Sequence, residues 1–355
     1  MLKIEINTIP ADNFLLPNLK AQLLKVFSLK DESMKTIGII CGGFSSEWEI
    51  SLKSAQTIQD NFPKEFNTLK IQLDSSGWNV LLENGKTPLD LNTMTFGENA
   101  TSIDAAIVYI HGDPGENGKI QAFLEIKNIP YINSGPLASA LSFDKWYCNQ
   151  FLKGFEIKVA RSIYLTDRNH ASAKEIIEKL DLPVFVKPCD SGSSYGISKV
   201  KILEEMDAAL DKAFEEGRTV VVESFLDGTE VTCGVYRKKS GVHALPLTEI
   251  VTENEFFDFD AKYLGKSQEL TPARVSDEVK LEVQKQARMV YELLQLRSIA
   301  RIDFMIVNGV PHVIEVNTTP GFSAASIVPQ MIQCEGGNLA DFWREIVEVE
   351  LKFNS

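Results

Sequence analysis

Apolar and polar positions along the chain change periodicity in a regular order. Between residue 36 and about 133, Thr36–Cys41, Leu69–Leu73 and Ala105–Ile110 are short apolar runs of strand length. Ser51–Asn61 and Lys119–Ile126 carry helical spacing between them, and strand–helix alternation predicts a small parallel α/β unit that ends at Ser134-Gly135-Pro136. From 136 to 226 the pattern predicts a helix over Leu137–Phe151, a strand, and a helix over Ala173–Leu180. A strand at Pro183–Val186 follows, then a glycine-serine loop, a strand at Ile197–Val200, a helix over Glu204–Phe214 and a strand at Thr219–Glu223. From 227 onwards strands come first. A helix then carries Val283, Ala287, Val290 and Leu294 at i, i+4, i+7 and i+11, two strands flank Asn308-Gly309, and a helix closes near Leu339–Val349.

The expected division is 1–33, an extension of unknown role outside the pattern, then 34–135, 136–226 and 227–355. The expected class is α/β and α+β. A length of 355 residues suits two to three domains.

Charge narrows the partners. Thirty-six basic against 49 acidic side chains leave a net charge of −13, which argues against bulk binding to nucleic acid or anionic lipid but leaves room for a local anion pocket. No apolar run nears the ~18 residues of a membrane span. Five scattered cysteines without a C-x-x-C read as reduced thiols, and residues 1–33 lack the basic-then-apolar order of a signal peptide. A cytoplasmic location is expected.

The richest segment is Ser298–Gly321. Ala300, Ile302, Phe304 and Ile306 on one strand, and Ile314 and Val316 on the next, are apolar. Burying both sets against one core gathers Arg301, Asp303, Glu315 and Asn317 on the opposite face, because side chains alternate with period 2. A two-residue turn would pair 303 with 314 and split the sets, so an odd loop or a bulge is required, with Pro311 as its expected place. Two carboxylates, an amide oxygen and a guanidinium on one face suit a magnesium ion beside an anion. A solvated polar face is the plainer alternative for any one of these residues, but less so for the set followed by Thr-Thr-Pro-Gly.

Four further segments lie at strand ends. VFVKPCDSGSSYG brings Lys187 out of a strand into a loop of small residues, where backbone N–H groups, Ser193 and Ser194 could meet phosphate; it is neither a Walker A motif nor G-x-G-x-x-G. In ESFLDGTE, Glu223 and Leu226 could hold an adenine edge and face, although an ordinary strand-to-strand connection is the plainer reading of this segment alone. In HGDPGENG, His111 stands where open α/β sheets bind ligands. In GGFSSE, Glu47 could hold an ammonium group or merely begin a helix.

In this order and spacing, GGFSSEWEIS, HGDPGENG, SGPLASALSFDK, VFVKPCDSGSSYGISKV, VVVESFLDGTE, FDFDAKYL, ARIDFM and EVNTTPGFSAASIVP resemble the D-alanine–D-alanine ligases of the ATP-grasp superfamily, from about Met34 to the C-terminus. The resemblance implies a three-domain ATP-grasp fold with an N-terminal parallel α/β (pre-ATP-grasp) domain and ATP between the second and third domains. It implies ATP contacts at Lys145, Lys187, Ser193, Ser194, Glu223, Leu226, Glu230 and Lys262, and two Mg²⁺ (or Mn²⁺) ions on Asp303, Glu315 and Asn317. It implies Glu47 at the ammonium of the first D-alanine, His111 near its carboxylate, and Arg301 with the Gly321 N–H as oxyanion stabilisers. Ser326 and Ile327 would bind the second substrate's carboxylate, and many relatives have Leu in place of Ile327. Tyr263 would link loop closure to Glu47 through Ser193, and a tyrosine there favours the dipeptide over the D-alanine–D-lactate ester. Asn117 and Asp260 stand where Asp and Glu are usual, and both changes are conservative.

The expected reaction activates one D-alanine carboxylate as an acyl phosphate, which the second D-alanine's amine attacks, for peptidoglycan precursor synthesis and so cell-wall shape. A homodimer is expected from the resemblance alone. The alternatives are another ATP-grasp carboxylate–amine ligase, a D-serine or D-lactate variant, or a non-catalytic nucleotide-binding regulator. A nicotinamide oxidoreductase is disfavoured for want of a strand–G-x-G-x-x-G–helix unit.

Overall fold

Three sheets follow one another along the chain. The computed structural model describes residues 34–192, 195–252 and 267–351, and every element below lies in the unit Lys35–Ser355. The first sheet holds β1 (Thr36–Gly42), β2 (Asn67–Asp74), β3 (Gly77–Leu82), β4 (Gly85–Asp90), β5 (Thr95–Phe96), β6 (Thr101–Ser102), β7 (Ala105–Val108) and β8 (Tyr131–Ile132), in spatial order β6-β5-β4-β3-β2-β1-β7-β8. Neighbours among β2, β1, β7 and β8 run parallel, as expected. The expected unit is incomplete, because β3 to β6 extend it antiparallel. Asn84-Gly85 at the β3–β4 turn carries the same hairpin signal as Asn308-Gly309.

Strand β1 is buried along its whole length because both faces are covered. Ile37, Ile39 and Cys41 pack on helix α1 (Trp48–Asn61) and on C-terminal residues including Phe322 and Trp343, while Ile40 joins a second core with Leu124 of α2 (Lys119–Ile126). The C-terminal segment thus supplies part of the first sheet's core.

The single helix expected over Leu137–Phe151 is two, α3 (Pro136–Phe143) and α4 (Lys145–Lys153). Asp144 leaves the helical region (φ −84°, ψ 109°), and its carboxylate accepts the backbone N–H groups of Trp146 and Tyr147. An aspartate satisfying the orphan donors of a helix start is an N-cap, so the apolar periodicity continues while the backbone breaks. The break puts Lys145 at the first position of a new helix.

The second sheet is antiparallel, in order β11-β10-β12-β9, from β9 (Ser162–Leu165), β10 (Val184–Pro188), β11 (Ser198–Val200) and β12 (Val220–Ser224). Helices α5 (Ala173–Leu180) and α6 (Met206–Glu216) cover one face through Ile176, Leu180, Leu210 and Ala213 against Val184, Val186, Val220 and Val222. Phe185, Lys187 and Glu223 occupy the other face by strand alternation.

The third sheet runs β16-β15-β13-β17-β18, from β13 (Thr229–Lys238), β14 (Gly241–Ala244, paired with β13), β15 (Thr248–Thr252), β16 (Ser267–Leu270), β17 (Ile299–Val307) and β18 (Val310–Asn317). Its apolar face, with Val231, Cys233, Ala300, Ile302, Phe304 and Val316, packs on Val283, Ala287 and Val290 of α7 (Asp277–Leu293). Helices α8 (Ile327–Cys334) and α9 (Leu339–Glu350) close the chain.

A bulge does keep the two face sets apart, but Pro311 does not make it. The Asn308-Gly309 turn is a plain two-residue loop with positive φ at both residues, and Pro311 pairs regularly with Ile306. The register slips between Asp303 and Phe304, so Asp303 faces Glu315, Phe304 faces Val313, and Ile314 is the extra residue. Pro311 is tolerated because β18 is an edge strand of this sheet.

Candidate active site

The polar face of β17 and β18 carries the set expected of it. Arg301 grips Asp303 through two bonds of 2.9 Å, Asn317 Nδ2 donates to Asp303 Oδ2 at 3.1 Å, and the Thr232 hydroxyl donates to Asp303 Oδ1 at 2.5 Å. Lys145, buried at the start of α4, pairs with Glu315 at 2.9 Å and donates to the Ser191 carbonyl at 2.6 Å. Burial opposes charge on Lys145, but Glu315 outweighs it and the lysine titrates above its ordinary range.

On the polar face of the second sheet, Lys187 meets Glu223 at 2.7 Å, and the other Glu223 oxygen accepts from Asn149 Nδ2 at 3.1 Å. Glu223 is buried, Leu226 follows in the partly buried turn after β12, and Glu230 lies at the start of β13. Ser193, Ser194, Lys262 and Tyr263 lie outside the described residues.

A cavity of about 270 Å³ gathers the remaining candidates: Glu47, His111, Arg301, Gly321, Ser326 and Ile327, together with Glu315 and Asn317. Glu47 occupies the N-cap position of α1 without a capping bond of its side chain. A methyl placed on Gly192 would sit 3.4 Å from Glu47 Oε2, so the loop after β10 abuts this carboxylate. His111 is buried, its Nε2 has no partner, and burial lowers its pKa, so it is a neutral imidazole at pH 7. Ser326 occupies the N-cap position of α8 without a capping bond of its side chain, and its Oγ accepts from the Ser323 backbone N–H at 3.0 Å.

Sequence reasoning missed three contributors. Asn133 donates to the Val108 carbonyl and to Thr319 Oγ1, each at 3.0 Å, and the Tyr109 hydroxyl donates to the Pro320 carbonyl at 2.8 Å. These bonds tie the Thr-Thr-Pro-Gly segment to the first sheet, and no local sequence signal announces pairs so far apart in the chain. The third is Glu116, a partly buried wall residue whose Oε2 accepts from the Gly112 N–H at 2.8 Å. Burial, reinforced by repulsion from Glu47, pushes its carboxyl up to about 8. The motif HGDPGENG contains it. Gly115 beside it has a plain structural reason, since a Cβ there would lie 2.2 Å from the Ile110 carbonyl oxygen.

The donor set fits a hard cation. Asp303, Glu315 and Asn317 offer oxygens from two adjacent strands, while Arg301 and Lys145 hold those carboxylates from outside. Among the described residues no three His, Cys, Asp or Glu side chains form a closed cage. Two carboxylates and an amide oxygen suit Mg²⁺, which takes one or two carboxylates and completes its shell with water and phosphate.

Comparison with known proteins gives a consistent result. A family profile described as "D-ala D-ala ligase N-terminus" matches residues 36–134, and one described as "D-ala D-ala ligase C-terminus" matches 151–348. The chain is 44% identical over 323 residues to the D-alanine--D-alanine ligase of Parabacteroides distasonis, covering 90% of this chain and 98% of that one. Among solved structures, VanG D-Ala:D-Ser ligase from Enterococcus faecalis aligns with a TM-score of 0.81 at 30% identity, over 89% of this chain and 99% of that one. D-alanine--D-alanine ligase from Bacillus anthracis, complexed with ATP, aligns with a TM-score of 0.73 at 29% identity, over 90% and 98%.

Proposed function

The chain belongs to the D-alanine–D-alanine ligase family, and from that premise we propose how its residues divide the work of joining two D-alanines with ATP. One D-alanine carboxylate attacks the γ-phosphorus, giving ADP and an acyl phosphate. The second D-alanine's amine attacks the acyl carbon, and phosphate leaves with the C–O electron pair. The observation that carries this reading is the cavity itself. The anion-binding side chains Arg301 and Glu315-paired Lys145 adjoin an amino-acid-sized pocket walled by Glu47, His111 and Ser326.

Glu47 takes the ammonium of the first D-alanine, and neutral His111 offers its buried Nε2 near that carboxylate. Arg301 and the Gly321 N–H meet the oxyanion of the tetrahedral intermediate, as preorganised donors do in acyl transfer. Lys145 and Lys187, with Ser193 and Ser194, hold phosphoryl oxygens, and Glu315 and Glu223 hold the two lysines in place. Glu223 and Leu226 take the adenine, Glu230 the ribose, and Lys262 the nucleotide from the segment that would close over it. Asp303, Glu315 and Asn317 would hold two Mg²⁺ (or Mn²⁺) ions. When bound, these supply Lewis-acid neutralisation of the phosphoryl charge. Ser326 and Ile327 receive the second substrate's carboxylate. Tyr263 favours an amine over a hydroxyl acceptor.

The domain division read from the sequence, 34–135, 136–226 and 227–355, assigns one sheet to each domain. No helix among the described residues is long and apolar enough to cross a membrane. The family resemblance carries the expectation of a cytoplasmic homodimer. The test is phosphate release from ATP and Mg²⁺ with D-alanine, L-alanine, D-serine, D-lactate or no acceptor. Release with D-alanine but not L-alanine, with dipeptide identified by mass, is expected. Release with none of them would refute the assignment.

A further inference from the structure

The acceptor amine reaches the site as an ammonium ion and must lose a proton before it can attack. None of the residues assigned above is given that task.

Two carboxylates in the cavity, Glu116 and Glu269, have no role so far, and of these only Glu269 belongs to the sheet that carries Arg301. Glu269, on β16, lines the cavity together with Arg301, Ser323, Ser326 and Ile327. The register fixes which way it points. Glu269 pairs with Ile250, Ile250 with Glu230, and Glu230 with Met305, while Thr232 pairs with Asp303. Residues two apart on a strand share a face, so Glu269 stands on the face that carries Arg301, Asp303, Glu315 and Asn317. Gln330 Nε2, from α8, donates to Glu269 Oε2 at 3.4 Å and to the Ala325 carbonyl at 2.9 Å, tying this carboxylate to the turn before Ser326.

A carboxylate and a pair of serine hydroxyls lining one cavity with Arg301 are complementary to a zwitterion. The hydroxyls of Ser323 and Ser326, 2.8 Å apart, suit the carboxylate end, and Glu269 suits the ammonium end.

We propose that Glu269 is the general base that accepts a proton from the ammonium of the second amino acid. It rests on the ligase assignment. The transfer R–NH₃⁺ + Glu–COO⁻ → R–NH₂ + Glu–COOH frees the nitrogen lone pair. That pair forms the C–N bond, phosphate departs with the C–O pair and carries away the second N–H proton as hydrogen phosphate, and Glu269 returns its proton to water.

The surroundings suit the role. Burial raises the pKa of Glu269 while Arg301 opposes the rise, which gives a carboxylate more basic than an exposed one. Arg301 is the charged group facing it from β17, Gln330 the polar one from α8, and Glu230 shares its face from β13. Glu249, on the neighbouring β15, points to the opposite face, where Arg274 holds it at 2.8 Å.

The experiment compares wild type with Glu269→Gln, using D-alanine and ATP with either D-alanine or hydroxylamine as acceptor. Hydroxylamine is already unprotonated at neutral pH and needs no base. The expected result is a fall on the order of 10²-fold in kcat/KM for the second D-alanine at pH 7. The deficit should shrink steadily as pH rises toward the amine's own titration. Hydroxamate formation and the KM for ATP should stay within about twofold of wild type. Equal loss with both acceptors, no loss with either, or a pH-independent loss confined to KM would overturn the assignment of a base. Wild type that makes hydroxamate but no dipeptide would overturn the acceptor role while leaving carboxylate activation intact. Wild type that makes neither would bring down the ligase assignment and this inference with it.

Discussion

Replacing Glu315 with glutamine separates two roles that one carboxylate holds. In the folded protein it is the counter-charge of Lys145, at 2.9 Å, with 26% of the glutamate side chain and 9% of the lysine side chain exposed. Removing one partner of a buried pair costs about 3–5 kcal/mol, because the other charge stays desolvated. The partial exposure of Glu315 and the Ser191 carbonyl that still accepts from Lys145 at 2.6 Å put this pair at the low end, about 3 kcal/mol. The unit Lys35–Ser355 has an unfolding entropy of about 0.7 kcal/mol/K at ~2.1 cal/mol/K per residue, so Tm should fall by only about 4 °C. The second, proposed role is to hold the Mg²⁺ that would neutralise phosphoryl charge, and losing one such preorganised group typically costs about 10²–10³ in kcat. Steady-state phosphate release at saturating ATP, read beside a thermal melt, separates the two. The expected variant is folded at 25 °C and at least about a hundredfold slower. A variant within threefold of wild type at ordinary Mg²⁺ would refute the placement of Glu315 at the transferred phosphate. A variant unfolded at 25 °C would refute the stability reasoning.

Other consequences follow from single contacts. His111→Ala should raise the KM for the first D-alanine about tenfold or more, the worth of one hydrogen bond to a charged group, with the KM for ATP unchanged; a change in the ATP KM instead would contradict its place in the amino-acid pocket. Glu116, whose pKa is raised by burial to about 8, binds a proton in the folded state that the unfolded chain releases near 4.5, so it subtracts stability as pH rises from about 4.5 to about 8. Melting curves of Glu116→Gln should therefore gain on wild type at pH 8.5 relative to pH 5, and an equal difference at both would contradict its buried environment. Outside the cavity lining, Glu350 accepts from Arg297 Nε and the Ser298 backbone N–H, each at 2.8 Å, with 6% of its side chain exposed. Glu350→Ala should lower unfolding free energy by about 3 kcal/mol in a urea titration and leave kcat within twofold.

Much of this was legible from period and punctuation alone. The core face of α7, the Asn308-Gly309 hairpin and the convergence of Arg301, Asp303, Glu315 and Asn317 all follow from alternation, because burying one set of side chains forces the other set to gather. What stayed hidden was decided by contacts remote in sequence or by one local competitor. The bulge was required by the pattern, but its position depends on how Ile314 is squeezed out between Glu315 and Val313, while Pro311 sits harmlessly at an edge. The helix break at Asp144 is invisible to a hydrophobic period that runs straight through it, although an aspartate three residues ahead of Tyr147 is itself a cap signal. Glu116 and Glu269 were overlooked because a glutamate in a loop or an edge strand ordinarily faces water. Only the assembled cavity, with Asn133 and Tyr109 holding its Thr-Thr-Pro-Gly wall, turns them inward.

The central claim is that a D-alanine carboxylate becomes an acyl phosphate before the peptide bond forms. Turnover of ATP with D-alanine labelled by ¹⁸O in both carboxylate oxygens tests it most directly, because one labelled oxygen must leave with the phosphoryl group. Mass analysis should find one ¹⁸O in each inorganic phosphate released and one retained in the dipeptide's new amide. Phosphate free of label, with dipeptide still forming, would contradict the account.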